Sequence, residues 1–137
     1  MQVSVLMSKQ VETITPDINI QQASRRMRDQ NIGALPVMIG HKLVGIITDR
    51  DIGCFAVAMG YIPLRTSVEQ IMSTDVTTCR DSDSINDAGQ LMKQRHIRRL
   101  VVLNRHNSIV GLLSVDDLAR CSHELAGAVL EAADAVH

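Results

Sequence analysis

The sequence has 137 residues, a formal net charge of −1 at pH 7 and 45% hydrophobic residues. This size and composition are typical of a globular domain that buries a substantial core. The chain contains one Phe, one Tyr and no Trp, which argues against a protein that stacks single-stranded nucleic acid on aromatic rings. The near-zero net charge also argues against a nucleic-acid partner, because such proteins usually carry a basic surplus.

Two further features concern the location of the protein. No stretch approaches the ~18 consecutive apolar residues of a membrane span, and the N-terminus lacks the basic and apolar regions of a signal peptide. Cys54, Cys79 and Cys121 are odd in number, far apart and without a CxxC pair, which argues against a disulfide framework. We therefore predict a cytoplasmic protein with no membrane partner, whose free thiols are small core residues.

The motifs of common enzymes are missing from the sequence. His123-Glu124 is not followed by the second histidine of an HExxH zinc motif, and the other histidines lack metal-ligand spacing. No glycine-rich P-loop, GxSxG motif or catalytic Cys/His signature occurs. We predict that the protein is not an enzyme, holds no metal and requires no cofactor. An enzyme that acts on a nucleotide remains an alternative.

The chain contains an internal duplication. Residues 7–52 align with residues 72–118, first at an offset of 65 (Met7 with Met72) and then, after one inserted residue, at an offset of 66 (Gly45 with Gly111). Apolar and glycine positions stay in register throughout, which chance seldom produces. We predict a first repeat over residues 1–60, a linker over 61–71 and a second repeat with a C-terminal helix over 72–137.

Each repeat predicts the element order β-α-β-β-α. Apolar positions three and four apart indicate a helix after a short extended segment, and runs rich in Val, Ile and Leu indicate buried strands. The predicted strands are Ala34–Ile39, Leu43–Ile47, Arg99–Leu103 and Ile109–Leu113. One closing helix carries Ile52, Phe55, Ala56 and Met59, and the last carries Leu118 to Val129. The fold class is therefore α+β, or α/β-like, with the two repeats packed in pseudo-two-fold symmetry.

Within the duplicated unit, the matching motifs GIITDRD (Gly45–Asp51) and GLLSVDD (Gly111–Asp117) are the most specific signal. The chain resembles a tandem cystathionine-β-synthase (CBS) domain pair, or Bateman module, of the free-standing type, over about residues 3–122. The resemblance implies a regulatory module with clefts between the repeats for adenosine-containing ligands: AMP, ADP, ATP, NAD or S-adenosylmethionine. The alternative is a ligand-independent dimerisation or interaction scaffold.

The motif residues suit such a ligand. The carboxylates of Asp51 and Asp117 can each accept two hydrogen bonds from a ribose diol, while Thr48 and Ser114 present hydroxyl groups. A simpler interpretation is that the polar residues are helix caps, as Ser, Thr and Asp before a helix usually are. The two roles are compatible, because the hydroxyl group can cap the helix while the acid binds the ligand.

The resemblance implies that each site joins the motif of one repeat to the leading segment of the other. Site one then comprises Met7, Lys9, Val11, Ile97, Arg98, Arg99, Ser114, Asp116 and Asp117. Site two comprises Thr48, Arg50, Asp51, Gly33, Ala34, Leu35, Pro36, Met72, Thr74 and Val76. Because guanidinium groups suit phosphate, we expect site one to favour phosphorylated ligands. Ile32 with Leu35, and Ile97 with Leu100, are expected to enclose the base.

We also expect a homodimer. The apolar stripe Ile52, Phe55, Ala56 and Met59, together with the apolar helix over residues 118–133, could form a contact between two copies. The alternative is that these stripes are used inside the monomer.

Overall fold

The computed structural model describes residues 1–134, so the last three residues of the predicted second repeat lie outside the described part. Within the described residues the chain forms five strands and six α-helices. The strands are β1 (Ala34–Ile39), β2 (Lys42–Thr48), β3 (Thr78–Arg80), β4 (Arg99–Leu103) and β5 (Ile109–Ser114). The α-helices are α1 (Val3–Leu6), α2 (Ile20–Gln30), α3 (Val68–Ile71), α4 (Ile85–Arg95), α5 (Val115–Ala119) and α6 (His123–Asp134). A π-helix (Asp51–Ala56) and a 3-10 helix (Pro63–Arg65) complete the set.

The long helices α2 and α4 have matching ends because their local sequences match. Each begins after a polar cap, Asn19 or Ser84, whose side chain accepts a hydrogen bond from a backbone N–H in the first turn. Each ends at a residue in the left-handed region, Asn31 at φ 52° and His96 at φ 56°. Between these ends, apolar residues at helical spacing face the core.

The strands confirm the predicted α+β fold and show the duplication directly. Strands β1 and β2 pair antiparallel, and Ile14 adds a parallel bridge to Val37 of β1. In the second repeat β4 and β5 pair antiparallel, and β3 runs parallel to β4. The register of each hairpin shifts at the equivalent place, after Val37 and after Val102. A shared irregularity of this kind indicates that both hairpins derive from one ancestral unit.

The chain forms two compact units that differ from the two sequence repeats. Unit 1 comprises Met1–Val11 and the described residues from Thr77 onward, and unit 2 comprises Glu12–Val76. The leading segment of each repeat therefore packs with the body of the other repeat. Two antiparallel bridges, Gln2 with Ser84 and Asn19 with Ser67, join the exchanged segments to these bodies.

Two short helices attach the exchanged segments. Helices α1 and α3 lie 65 residues apart in the sequence. The residues of α3 were predicted to belong to the linker, because a helix of four residues is too short to show periodicity. The N–H of Val3 bonds to the carbonyl of Asp83 at 2.8 Å, and the N–H of Val68 bonds to the carbonyl of Ile18 at 2.8 Å. Both valines are fully buried, so each exchanged segment contributes to the core of its unit.

The helices that close the two repeats differ from the prediction. The predicted last helix is two helices, α5 and α6, because the Ser122 hydroxyl accepts from the N–H of Leu125 at 3.1 Å and starts a new helix. In the first repeat the closing segment is a π-helix. Its N–H groups bond five residues back, as from Val57 to the carbonyl of Ile52 at 3.0 Å.

The three cysteines occupy different environments. Cys79 is buried in the core of unit 1, whereas Cys54 and Cys121 are exposed, so the expectation of core thiols is correct only for Cys79. Burial, with Asp83 and Asp81 nearby, raises the pKa of the Cys79 thiol to about 12. Since the thiolate is the reactive form, Cys79 should be inert in the folded protein.

We expect Cys121 to react with a maleimide in the native protein and Cys79 to react only after unfolding. Mass spectrometry of peptides from the labelled chain, with a sample labelled in denaturant as control, measures this difference. Labelling of Cys79 at the same rate as Cys121 under native conditions would contradict the burial described here.

Candidate functional site

Each repeat motif begins with a glycine that lets the exchanged segment approach the last strand of the hairpin. A Cβ atom at Gly111 would lie 2.5 Å from Sδ of Met7 and 2.8 Å from the Ser8 carbonyl oxygen. At Gly45, a Cβ atom would lie 2.5 Å from Sδ of Met72 and 2.9 Å from the Ser73 carbonyl oxygen. These separations are too short for a side chain, so the motif requires glycine at this position.

Backbone hydrogen bonds hold the exchanged segment on the strand. In unit 1, Ser8 and Leu112 exchange N–H to carbonyl bonds of 2.9 and 3.0 Å. In unit 2, Ser73 and Ile46 exchange two bonds of 2.9 Å. The leading segments predicted for sites one and two therefore lie beside strands β5 and β2, each inside a single unit.

The repeated serine or threonine and the acid three residues later form a reciprocal capping box in both units. Asp117 donates its N–H to the Ser114 hydroxyl at 3.2 Å, and the N–H of Ser114 bonds to Oδ2 of Asp117 at 2.9 Å. Thr48 and Asp51 form the same pair at 3.1 and 2.9 Å. Capping therefore accounts for the repetition of both residues, and it leaves Oδ1 of each acid as the atom for a ligand hydroxyl.

The two acids differ in burial and in their neighbours. Asp117 is buried, and its Oδ1 lies 3.6 Å from Nη2 of the exposed Arg120. Asp51 is half-buried at the start of the π-helix. A ligand hydroxyl at Asp117 would therefore share Oδ1 with a weak, largely solvated ion pair, whereas Asp51 has no such neighbour among its described ion pairs.

Several backbone N–H groups of the motif are already used within each unit. Beyond the capping box, the N–H of Val115 bonds to the carbonyl of Arg98 at 2.9 Å, and that of Asp49 bonds to the carbonyl of Gly33 at 3.0 Å. Helix α5 has only five residues, so its dipole is small. Charged side chains, rather than the helix terminus, are then the groups that could hold a phosphate.

Site one carries more of these charged side chains than site two. In unit 1, Arg99 of β4 lies directly across from Ser114 of β5, with Arg98 one residue earlier and Lys9 next to Ser8. Arg98 is exposed and Arg99 is half-buried, and both also interact with other groups of the protein. Asp116 is exposed on the first turn of α5.

In unit 2 the positions equivalent to the two arginines are Gly33 and Ala34. Ala34 lies across from Thr48, and the predicted cation of site two, Arg50, is exposed immediately before the π-helix. The structure brings Met72 against Gly45. Thr74 and Val76 follow Ser73, as Lys9 and Val11 follow Ser8. The hydrogen bonds described for residues 1–134 do not connect the side chains of these four residues to the motifs.

The structure changes the expectation for the side chains that would enclose a base. Leu35 and Leu100 are fully buried in the cores of units 2 and 1, in strands whose central residues are buried on both faces. Pro36 is buried as well. Of the four residues expected to enclose the base, only the half-buried Ile32 and Ile97 remain accessible, and both also pack against a core.

Two roles were not predicted from the sequence: the close approach at Gly45 and Gly111, and the backbone bridges of Ser8 and Ser73. Both serines occur in matching Met-Ser dipeptides, Met7-Ser8 and Met72-Ser73, which lie 65 residues apart. This repeated dipeptide and the repeated glycine are the signals that could have identified the contact. Within residues 1–134, no cluster of three metal-ligating side chains occurs, and no helix is long and apolar enough to cross a membrane.

Comparison with known proteins identifies the family. The model of the CBS domain matches residues 3–52 and 68–124. A CBS domain-containing protein of Bacillus subtilis, YhcV, is 40% identical over 126 residues, which cover 90% of this chain and 89% of YhcV. The chain therefore belongs to the CBS domain family, and its two matched regions make it a CBS domain pair.

Solved structures agree with this assignment. TA0289 of Thermoplasma acidophilum, a CBS domain protein, superposes with a TM-score of 0.87 at 18% identity, over 96% of this chain and 75% of that one. The CBS domain pair of MJ0100, in complex with 5′-methylthioadenosine and S-adenosyl-L-methionine, superposes with a TM-score of 0.79. It is 28% identical and is matched over 88% of this chain and 94% of that chain.

Proposed function

We propose that this chain is a regulatory module that binds an adenosine-containing ligand at one or both of its two motif sites. The proposal rests on an arrangement that occurs in both units. A motif acid forms a capping box with its partner, and the strand that leads to this capping box is bridged by an exchanged segment of the same unit. The ligands held by the MJ0100 pair, both of which contain adenosine, support the same class of ligand.

The proposed roles follow from the free groups of each site. The Oδ1 atoms of Asp51 and Asp117 accept hydrogen bonds from the ribose hydroxyls, and the exchanged segments at Met7 and Met72 lie beside the motif strands. Ile97 in unit 1 and Ile32 in unit 2 are the accessible aliphatic side chains for the base. This module needs no cofactor, because the nucleotide itself is the regulatory ligand.

Site one is the proposed site for phosphorylated ligands such as AMP, ADP and ATP. Lys9, Arg98 and Arg99 lie on or next to the elements that form it, whereas Arg50 is the single predicted cation of site two. Because the N–H groups of Ser114, Val115 and Asp117 are occupied, the proposed selectivity for phosphate rests mainly on these side chains. Site two suits an adenosyl ligand with less negative charge, such as S-adenosylmethionine.

A thermal-shift panel with ligand-stripped protein tests the proposal. A ligand that binds only the native state raises the melting temperature by mass action, by an amount that grows with the logarithm of its concentration above Kd. We expect at least one of AMP, ADP, ATP, NAD, S-adenosylmethionine and 5′-methylthioadenosine to do so, with inosine and guanosine monophosphate as controls. No response to any adenosyl compound would favour the alternative, a ligand-independent interaction scaffold, and turnover of a compound seen by chromatography would favour an enzyme.

We also propose that the protein is cytoplasmic and forms a homodimer. Its three cysteines, all free thiols, support a reducing compartment. Several large apolar side chains are exposed near the end of the first repeat, including Phe55, Val57 and Met59, and these support self-association. A regulated partner protein is part of this proposal.

A further inference from the structure

Helix α6 packs on the two helices that adjoin the proposed site one. It contacts both α4 and α5 within unit 1. A Cβ atom at Gly89 of α4 would lie 2.7 Å from the Leu125 side chain of α6, so the two helices are in close contact. Nearer the end of α4, Nδ1 of His96 lies 2.9 Å from the carbonyl oxygen of Ala132. The two contacts are equally spaced on both helices, so α6 lies along α4 in the same direction.

Helix α5, which carries the motif acid, is too short to be stable by itself. It has five residues, and a helix of this length depends on tertiary contacts. Its buried residues Val115 and Leu118 share a hydrophobic cluster with Ala126 and Val129 of α6. The carbonyl of Leu118 also accepts a 2.9 Å hydrogen bond from the N–H of Ser122, the residue that caps α6. Helix α6 therefore stabilises the helix that carries the capping box.

The segment that follows α4 is connected to the same helices. His96, which contacts α6, directly precedes Ile97 and Arg98, two residues of the proposed site one. The N–H of Ile97 bonds to the carbonyl of Met92 in α4 at 3.0 Å, and the N–H of Val115 in α5 bonds to the carbonyl of Arg98 at 2.9 Å. Through α4 and α5, the position of α6 is thus linked to residues proposed to contact the base and the phosphate.

Unit 2 lies entirely within the described residues and has no counterpart of α6. Its motif leads into the π-helix, which contacts strand β2 and the short helix α3. The 3-10 helix that follows contacts α2, but it has only three residues. At the position equivalent to Gly89, α2 carries Ser24. The two proposed sites therefore differ in the elements that support them.

The side chains that α6 buries are small. They are Ala126, Val129 and Ala133, so the helix buries less apolar area per residue than the strands and helices of the core. We therefore expect detachment of α6 to cost less free energy than unfolding of unit 1, as is usual for elements that open locally. An element of this kind has two arrangements, docked and detached, between which a ligand can shift the population.

We propose that α6 is a regulatory element coupled to site one. The docked helix holds site one in the arrangement that binds a ligand, and ligand binding in turn favours the docked helix. Such coupling is reciprocal, because a helix position that changes the affinity for a ligand must respond to that ligand by the same factor. Site two has no such coupling. The inference rests on the proposed binding of a ligand at site one.

Hydrogen exchange of the full chain, measured by mass spectrometry with and without saturating AMP, tests the coupling. We expect AMP to slow the exchange of the α6 amides by roughly 5-fold or more, the lower end of usual allosteric coupling. Peptides that span the Gly111–Asp117 motif report the occupancy of site one, and α2 of unit 2 is the control for a general gain in stability. Unchanged exchange of α6 while the motif is protected would overturn the inference and leave the proposed function intact. No protection of the motif by any adenosyl ligand would overturn both.

A variant that displaces α6 tests the coupling in the reverse direction. Gly89→Val places a branched side chain against Leu125, whereas α4 itself gains helix propensity. We expect AMP affinity, measured by isothermal titration calorimetry, to fall roughly 5-fold or more. Adding Leu125→Ala, which frees space for the valine, should restore the affinity. Ser24→Val on α2 is the matched control and should leave it unchanged. Faster exchange of α6 in Gly89→Val without a loss of AMP affinity would contradict the coupling, as would a loss that Leu125→Ala does not restore.

Discussion

Replacing Gly111 with alanine is expected to lower the free energy of unfolding by roughly 1–3 kcal/mol, the usual cost of overpacking. The added Cβ atom would lie 2.5 Å from Sδ of Met7 and 2.8 Å from the Ser8 carbonyl oxygen. The methionine can rotate away, but the carbonyl belongs to the Ser8–Leu112 bridge and cannot move without breaking it. Gly45→Ala should behave in the same way in unit 2. Guanidinium denaturation followed by circular dichroism measures both.

Gly127→Ala provides the matched control for these variants. Gly127 lies inside helix α6, and a Cβ atom there meets nothing within 4 Å. Alanine has the higher helix propensity, so this change should raise stability by up to about 1 kcal/mol. If Gly111→Ala and Gly45→Ala were as stable as the wild type, the exchanged segments could not be packed against the motif strands as described.

Replacing Arg99 with glutamate is expected to weaken AMP binding by roughly 10-fold to 100-fold, a loss of about 1.4–2.7 kcal/mol. Arg99 lies across from Ser114 on the strand pair of the proposed site one. Reversal of its charge would replace attraction with repulsion toward a phosphate at this site. Binding of uncharged adenosine should change by much less, and this difference separates a phosphate contact from a general disturbance of the fold. Isothermal titration calorimetry with both ligands measures the effect.

Arg95→Glu is the control for this charge reversal. Arg95 is exposed at the end of α4, outside the residues assigned to either site, so it changes the net charge by the same amount. An equal loss of AMP affinity in both variants would indicate long-range electrostatics rather than a site contact. Unchanged AMP affinity in Arg99→Glu would remove Arg99 from the site.

Most of the fold could be predicted from the sequence because the two repeats show the same pattern of apolar and polar residues, so each supports the prediction for the other. The predicted bounds of β1 and β4 agree with the structure, since a dense apolar run followed by a turn defines a buried strand without ambiguity. The short helices α1 and α3 could not be predicted in this way. Four residues carry no periodicity, and these helices depend on contacts with the body of the other repeat.

The closing helices of the two repeats also differ from the prediction, because each breaks a continuous α-helix that the apolar stripe suggests. A single apolar stripe runs from Leu118 to Val129, but the hydroxyl of Ser122 interrupts it by capping a new helix. The π-helix at Asp51–Ala56 has the same stripe that an α-helix would have over so few residues. Periodicity describes which face is buried, and it does not resolve the hydrogen-bond pattern of one turn.

The site residues could be predicted in part, and the structure changes the reason for their repetition. Thr48 with Asp51 and Ser114 with Asp117 recur because they form capping boxes, and a ligand role rests on the remaining carboxylate oxygen of each acid. Leu35 and Leu100 lie in strands that were predicted to be buried, and the structure buries both faces at these positions. An apolar run does not distinguish a side chain that fills the core from one that lines a ligand site.

An NMR titration of ¹⁵N-labelled, ligand-stripped protein with AMP tests most directly whether the motif sites bind a nucleotide. We expect saturable chemical-shift changes that cluster at the backbone amides of Met7–Lys9, Arg98, Arg99 and Ser114–Asp117. Amides of helix α2, such as those of Ser24 and Met27, should change little. Shifts confined to α2, or no shifts with AMP, S-adenosylmethionine or 5′-methylthioadenosine at millimolar concentration, would contradict the proposed ligand binding at the motifs.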